Sequence, residues 1–458
     1  MKNNIVVISV PFARIGRYSL SKLVLSILRE RGDVVIVSPW SHKVKFRENF
    51  HGDNTFFIKW ESIKISKFKQ KILVVSELMR LLGYLRRFKN QGLMWFFRNH
   101  FSVFTEDGQD SRLGLFKSIA HFILSVLGRR RSSWKTVERL SGLEWYQFPE
   151  LIKLVAAYAD VTLIQSASWG MQDKALAKLS SMEGWRNVLL PYSTDQLHCN
   201  GYLFNDYHAV CVQGDLELDR AKNFHLIPEQ SIYRLGSIWF RHLAQLNTII
   251  NDIQSDKCNS RVIFYAGMGS LYFARKSEFA GLDALIQFVI DSDEKFQLIY
   301  RPVFCDEEDR NYIENKYGAL EGLEIQWPQA SVIGIHDPLT INQEQSLLEY
   351  TRDIKGCDLL VMSLNSTICM DIAFLEKCGI ISNMIDLDGR LERRLHSIAV
   401  RVCPAGMDVN TTDSLIESVK YFLDNPEKGE KTSAEMLSKW DYPEADFRSI
   451  LVSAVYGA

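Results

Sequence analysis

The 458-residue sequence predicts an α/β chain of two doubly wound domains, and three observations carry that expectation. Short β-branched runs recur along the chain, each passes into a polar or glycine-bearing loop, and each loop passes into a stretch of helical character. Strands buried on both faces read as unbroken apolar runs, which is how parallel sheets covered by helices look in sequence. Such runs are too numerous for one sheet of ordinary size. The polar stretch NDIQSDKCNS, residues 251–260, separates two series of them and sets an expected boundary near residue 250.

In the first series come IVVISV, DVVIVSP, TFFIKW, SVFTEDG, VTLIQSASWG, NVLLPYSTD and HAVCVQGD; in the second RVIFYAGMGS, FQLIYRP, LEIQWP, DLLVMSLNST and GIISNMI. A content of 47% hydrophobic and 12% aromatic residues is ample for two cores. The eight cysteines, from Cys199 to Cys403, are scattered singly without a CxxC pair, so they read as small core residues in a reducing compartment, and no zinc site is expected. No stretch reaches the roughly 18 to 20 apolar residues that span a bilayer. The opening MKNNIVVISV runs into a strand with no cleavage pattern, so a cytoplasmic chain is expected.

The net charge of -1 conceals an asymmetry. Residues 1–150 hold 26 Lys+Arg against 12 Asp+Glu, a balance of +14, which leaves 28 against 43 for residues 151–458. The excess gathers on two apolar segments with basic ends: KILVVSELMRLLGYLRRFK, with Arg86, Arg87 and Lys89, and LGLFKSIAHFILSVLGRRR, with Arg129, Arg130 and Arg131. Amphipathic basic helices suit an anionic membrane surface, giving a protein peripheral to the inner face of a membrane. The alternative is core-packed helices whose basic ends match the helix dipole. Nucleic acid is not an expected partner, because the basic residues flank aliphatic stripes and do not interleave with stacking aromatics.

Ligands of doubly wound sheets sit outside the carboxyl ends of the strands. There, in the second series, lie Gly267 and Gly269, which permit close backbone approach, and Ser270, which can cap a helix: a phosphate cradle or a structural turn. Arg301 ends the next strand, where a guanidinium suits phosphate or a salt bridge to the acids of CDEEDR. In LNSTICMDIAFLEKCGI, Ser366 and Thr367 stand at a helix start, and Asp371 is a lone carboxylate on an otherwise apolar helix. Helical side chains lean toward the N-terminus, so Asp371 is expected at the sheet edge, accepting from the hydroxyls of a ribose or serving the dipole alone.

A strand, a Ser-Thr loop, a helix with an acid and a glycine turn, as in STICMDIAFLEKCGI, resembles the donor-nucleotide signature of GT-B glycosyltransferases, with Asp371 at the acidic position. Glu376 and Cys378 stand where Gly and Pro are usual, and Asp371 replaces the commoner Glu. The resemblance implies two Rossmann-like domains facing across an interdomain cleft: an acceptor-side domain over 1–250, a donor-side domain over 251–440, and a final helix, 441–458, that crosses back. It implies a nucleotide-sugar donor held around Gly267, Gly269, Ser270, Arg301, Ser366, Thr367 and Asp371. Neither a cofactor nor a metal is expected, since helix N-termini and Arg301 supply the positive field.

Acceptor contacts then belong to the first domain: Arg14, Gln165, Ser166, Trp169, Tyr192, Gln196 and Asn200. The loop Pro191–Gly201 is similar in placement to the segment that bears the catalytic base of CDP-glycerol transferases and related epimerase-like enzymes. Those have His; this chain has Asp195, with His198 nearby. Asp107, in SVFTEDGQDS, resembles the basic aspartate of bacterial GT-B sialyltransferases, whose His-Pro is here replaced by RPVF at Arg301 and a separate His336, Asp337 and Pro338. The expected activity is sugar transfer from the donor to a membrane-associated glycan or lipid-linked acceptor in surface polysaccharide assembly, with Asp195 or Asp107 as general base. A nucleotide-sugar epimerase, a CDP-glycerol-type transferase and a non-catalytic glycan-binding scaffold are the alternatives on this fold.

Overall fold

The computed structural model describes residues 2–11, 18–60, 148–166, 171–191, 207–225, 227–253, 260–267, 275–302, 307–327, 344–363, 368–387 and 407–457. Single positions at 66, 68, 72, 75, 76, 79, 123, 126, 127, 133, 136 and 197 are described as well. The chain divides into two compact units: unit 1 is Met1–Val212, Glu217–Leu235 and Ala445–Ala458, and unit 2 is Gln213–Leu216 with Gly236–Glu444.

Along unit 1 come β1 (Lys2–Ser9), α1 (Lys22–Arg29), β2 (Asp33–Ser38), α2 (Val44–Asn49), β3 (Thr55–Lys59), α3 (Pro149–Val155), β4 (Tyr158–Gln165), α4 (Met171–Met182), β5 (Arg186–Leu189), β6 (Ala209–Val212), α5 (Asp215–Asp219, straddling the division) and β7 (Ile232–Arg234). The strands form a seven-stranded sheet in the order β3-β2-β1-β4-β5-β6-β7, every pair parallel. Ile5, Val6, Val7 and Ile8 of β1 are all buried, as a strand covered on both faces requires. Helix α1 begins where the Ser21 hydroxyl accepts from the Val24 amide at 3.3 Å, and it buries Val24, Leu25, Ile27 and Leu28.

Unit 2 continues with α6 (Ile238–Ile253), β8 (Arg261–Ala266), α7 (Arg275–Asp291), β9 (Phe296–Arg301), α8 (Glu307–Tyr317), β10 (Leu323–Ile325), α9 (Glu344–Ile354), β11 (Leu359–Ser363), α10 (Ile368–Leu375), β12 (Gly379–Asn383), β13 (Met407–Val409), α11 (Thr412–Asp424) and α12 (Pro426–Trp440). Its six-stranded sheet has the order β10-β9-β8-β11-β12-β13, again wholly parallel. Both sheets thus run outward from their first strand in two directions, and the order reverses beside β1 and β4 in one and beside β8 and β11 in the other. Doubly wound sheets bind ligands at such reversals, outside the carboxyl ends of the strands.

The last helix, α13 (Phe447–Tyr456), belongs to unit 1. The Asp446 carboxylate accepts from the Ser449 amide at its start, and Gly457, at φ 75°, takes the left-handed turn at its end. Phe447, Leu451, Ala454 and Val455 are buried, and the helix is tied down by Thr162 donating to the Val455 carbonyl at 3.0 Å and Arg186 to that of Ala454 at 2.8 Å.

Three points differ from the sequence expectations. The division falls between Leu235 and Gly236, not near 250, because α6 packs within unit 2: Phe240 stacks on Phe374 at 4.8 Å, and Gly236, at φ +80°, turns the chain into the helix. At the other end the return to unit 1 comes at Ala445, not 441. Strands β7 and β13 were not expected; each is three residues long at a sheet edge. The expected strand in SVFTEDG lies outside the described residues.

Candidate functional site

At the β8/β11 reversal, the carboxyl edge of the second sheet carries a buried polar network. Tyr265, the penultimate residue of β8, donates its hydroxyl to the Glu278 carbonyl at 2.8 Å, and it accepts from Asn383 Nδ2 at 3.0 Å. With its one proton so used, the 2.8 Å contact with Ser363 Oγ, at the end of β11, has the serine as donor. Burial pushes the Tyr265 phenol well up from its ordinary value, so it stays protonated. The Glu278 side chain, on the first turn of α7, is itself buried and accepts from the Tyr300 hydroxyl at 2.6 Å.

Gly267 stands directly beside this carboxylate. Its amide donates to the Arg301 carbonyl at 2.9 Å, and a Cβ on it would lie 2.3 Å from Glu278 Oε1. The group that approaches Gly267 is therefore the chain's own carboxylate. Gly269 and Ser270, the rest of the expected phosphate cradle, lie outside the described residues, as do Ser366 and Thr367.

Asp371 has partners within the chain. Trp239 Nε1, from α6, donates to Oδ1 at 2.8 Å, and the Tyr350 hydroxyl, from α9, donates to Oδ2 at 2.5 Å. Neither donor is near it in sequence, which is why the carboxylate read as unpartnered on an apolar helix. A carboxylate has about four acceptor sites, so two such bonds leave room for a ligand's hydroxyls. The Arg301 guanidinium lies 5.0 Å over the Tyr350 ring and 3.5 Å from Asp353 Oδ2 of α9, not simply against the acids that follow it. Tyr350 therefore joins Arg301 and Asp371, two residues 70 positions apart that the sequence had singled out separately.

The reversal in the first sheet is marked by Ser9, Gln165, Ser166 and Asp173. Ser9 Oγ donates to Asp173 Oδ1 at 2.6 Å, and Gln165 Nε2 to the Asp173 carbonyl at 2.8 Å. Gln165 is thus engaged in the fold, whereas buried Ser166 Oγ finds no hydrogen-bond partner among the described residues. Arg14, Asp107, Trp169, Tyr192, Asp195, Gln196 and Asn200 lie outside those residues. Leu197, within the Pro191–Gly201 loop, is buried, and its carbonyl accepts from His225 Nε2 at 2.9 Å. Burial lowers the His225 pKa to about 4, so the ring is neutral and its Nε2 carries the proton.

Sequence reasoning missed Asp173, Trp239, Glu278, Tyr300 and Tyr350. Asp173 and Glu278 each carried a signal, an acid in the first turn of a helix that follows a strand. The aromatic residues carried none. Among the described residues no group of three or more His, Cys, Asp or Glu side chains gathers as a metal site, and no helix is long and apolar enough to cross a membrane.

No protein-family model matches the chain, and no curated protein matches it. Among solved structures it is similar to one from Listeria monocytogenes, provisionally assigned as a UDP-N-acetylglucosamine 2-epimerase, at 10% identity and a TM-score of 0.50, over 100% of this chain and 96% of that one. Its fold is GT-B. Two further similarities are recorded at lower scores. One is to the UDP-GlcNAc 2-epimerase of Neisseria meningitidis bound to UDP-GlcNAc, at 10% identity, TM-score 0.48 and 99% coverage of both chains. The other is to the wall teichoic acid polymerase TagF, at 10% identity and TM-score 0.46, over 99% of this chain and 87% of that one. The GT-B fold accounts for the repeated strand order of the two sheets and for the return of the final helix to unit 1.

Proposed function

We propose that this chain is an enzyme acting on a nucleotide sugar, held at the carboxyl edge of the second sheet, and that it interconverts the sugar while the nucleotide remains attached. The observation that carries the reading is the cluster at that edge, where Arg301 offers a guanidinium suited to phosphate and Asp371 and Glu278 offer carboxyl groups suited to hydroxyl donors. The GT-B likeness to an epimerase over the whole chain length supports interconversion ahead of transfer. Glycosyl transfer to a membrane-associated glycan or lipid-linked acceptor, including CDP-glycerol-type transfer, is the second reading. It is favoured by Asp371 standing at the acidic position of the signature that STICMDIAFLEKCGI resembles. In that reading Asp195 or Asp107 is the general base, and Gly269, Ser270, Ser366 and Thr367 join the donor site.

The test is incubation in deuterated water with UDP-, GDP-, CMP-, CDP- and dTDP-linked sugars and no acceptor, followed by NMR of the nucleotide sugar. Interconversion by removal of a carbon-bound proton gives a new sugar carrying solvent deuterium at the inverted carbon. Release of nucleotide only on addition of an acceptor would replace this reading by the second. Binding without either reaction would leave a glycan-binding scaffold, and no nucleotide-sugar binding at all would overturn the proposal.

A further inference from the structure

Thirteen large apolar side chains stand exposed among the described residues, and five of them fall on the two basic segments of unit 1, where few positions are described. They are Phe68, at 73% exposure, Val75, Ile123, at 50%, Val126 and Leu127. Ile123, Val126 and Leu127 are helical and spaced three and four apart, so they share one helix face. A core-packed helix with a basic end would bury that face. Directly after it in sequence come Arg129, Arg130 and Arg131, whose placement lies outside the described residues.

We infer that this part of unit 1 is a contact surface for an anionic lipid bilayer, with the aliphatic side chains entering the boundary of the acyl chains and the arginines meeting anionic headgroups. The two halves of the observation select this partner together. Exposed aliphatic groups gain nothing from a nucleic acid, which calls for stacking rings, and the basic cluster gains nothing from a neutral surface. Charge complementarity is concentrated here: the first 150 residues carry +14, while the remainder carries an excess of acids. The inference goes beyond the enzymatic reading and does not rest on it.

Sedimentation of the intact protein with vesicles of phosphatidylcholine alone, and of phosphatidylcholine mixed with phosphatidylglycerol, tests it. The protein is expected to pellet with the mixed vesicles and to be released by high salt, because screening shortens the reach of exposed charge. Changing Arg129, Arg130 and Arg131 together to Ser should weaken binding about 100-fold, each basic residue near an anionic surface being worth about five-fold. Changing Ile123, Val126 and Leu127 together to Ser should weaken it about ten-fold or more, through lost apolar burial. Both variants should keep the wild-type circular dichroism and melting temperature, since the apolar positions changed are exposed in the fold. Equal recovery with the two vesicle types, recovery insensitive to salt, or unimpaired binding by either variant would overturn the inference. So would loss of self-association in the apolar variant without any vesicle binding by the wild type.

Discussion

Asp371 shows how a single carboxylate can have two duties. Asp371→Asn turns one acceptor into an amide donor and sets it against Trp239 Nε1 or the Tyr350 hydroxyl, so stability should fall by about 1.5 to 3 kcal/mol in urea denaturation. Combined with Tyr350→Phe, the two losses should be less than additive by about 0.5 kcal/mol or more; strict additivity would mean that the bond contributes nothing. A nucleotide titration separates fold from function. Tyr350→Phe keeps the ring under Arg301 and the charge on Asp371, so affinity should fall further in Asp371→Asn, and equal affinities would remove the ribose contact. His225 gives the pH dependence. Its folded pKa of about 4 lies below its ordinary 6.5, so between those values the unfolded chain takes up a proton that the native chain does not. The stability is whole above pH 6.5 and is lost as pH falls toward 4, by about 3 kcal/mol in all. His225→Gln, which keeps a donor for the Leu197 carbonyl, should show a shallower loss between pH 7 and 5 than the wild type. Parallel slopes would refute the assignment.

Among the elements, α12 and β12 approach more closely than side chains allow. A Cβ on Gly429 would lie 2.4 Å from the Gly379 amide nitrogen, and the Ser433 hydroxyl donates to the Cys378 carbonyl at 2.5 Å. Backbone cannot yield as a side-chain tip can, so Gly429→Ala should cost about 3 kcal/mol, the upper part of the range for overpacking. Gly184→Ala meets nothing within 4 Å and should cost only the roughly 1 kcal/mol of its left-handed backbone, φ +70°. Comparable melting temperatures for the two variants would contradict this. Most strands were legible because burial on both faces writes itself as an unbroken run, as in IVVIS of β1 and LLVMS of β11. The three-residue edge strands IYR and MDV were not, since a half-covered edge imposes no such run. The candidate site was legible only as isolated positions. Gly267, Arg301 and Asp371 drew notice from their places after strands, but Trp239, Tyr350, Asp353 and Glu278 meet them through long-range contacts that no local pattern encodes.

In the whole molecule, each unit owns a sheet and a buried core, one around Val7, Val35 and Leu163 and the other around Ile263, Val361 and Ile381. Calorimetry should therefore resolve two transitions, and a bound nucleotide should raise only the one belonging to unit 2, by mass action on its folded form. A single transition displaced as a whole would show the units to be energetically inseparable. The place of α13 bears on a different matter, the order in which the chain is made. Thr162 reaches across 293 residues to its partner carbonyl at Val455. A ribosome delivers β1 to β7 long before the helix that covers them, while unit 2, between Gly236 and Glu444, emerges nearly whole before the first unit can close. The earliest-made sheet is thus the last to be finished, and its uncovered face must stay out of trouble throughout synthesis. A stop codon at Ala445 would then damage the far end of the gene's product, leaving unit 2 folded and the strands of unit 1 exposed to aggregation.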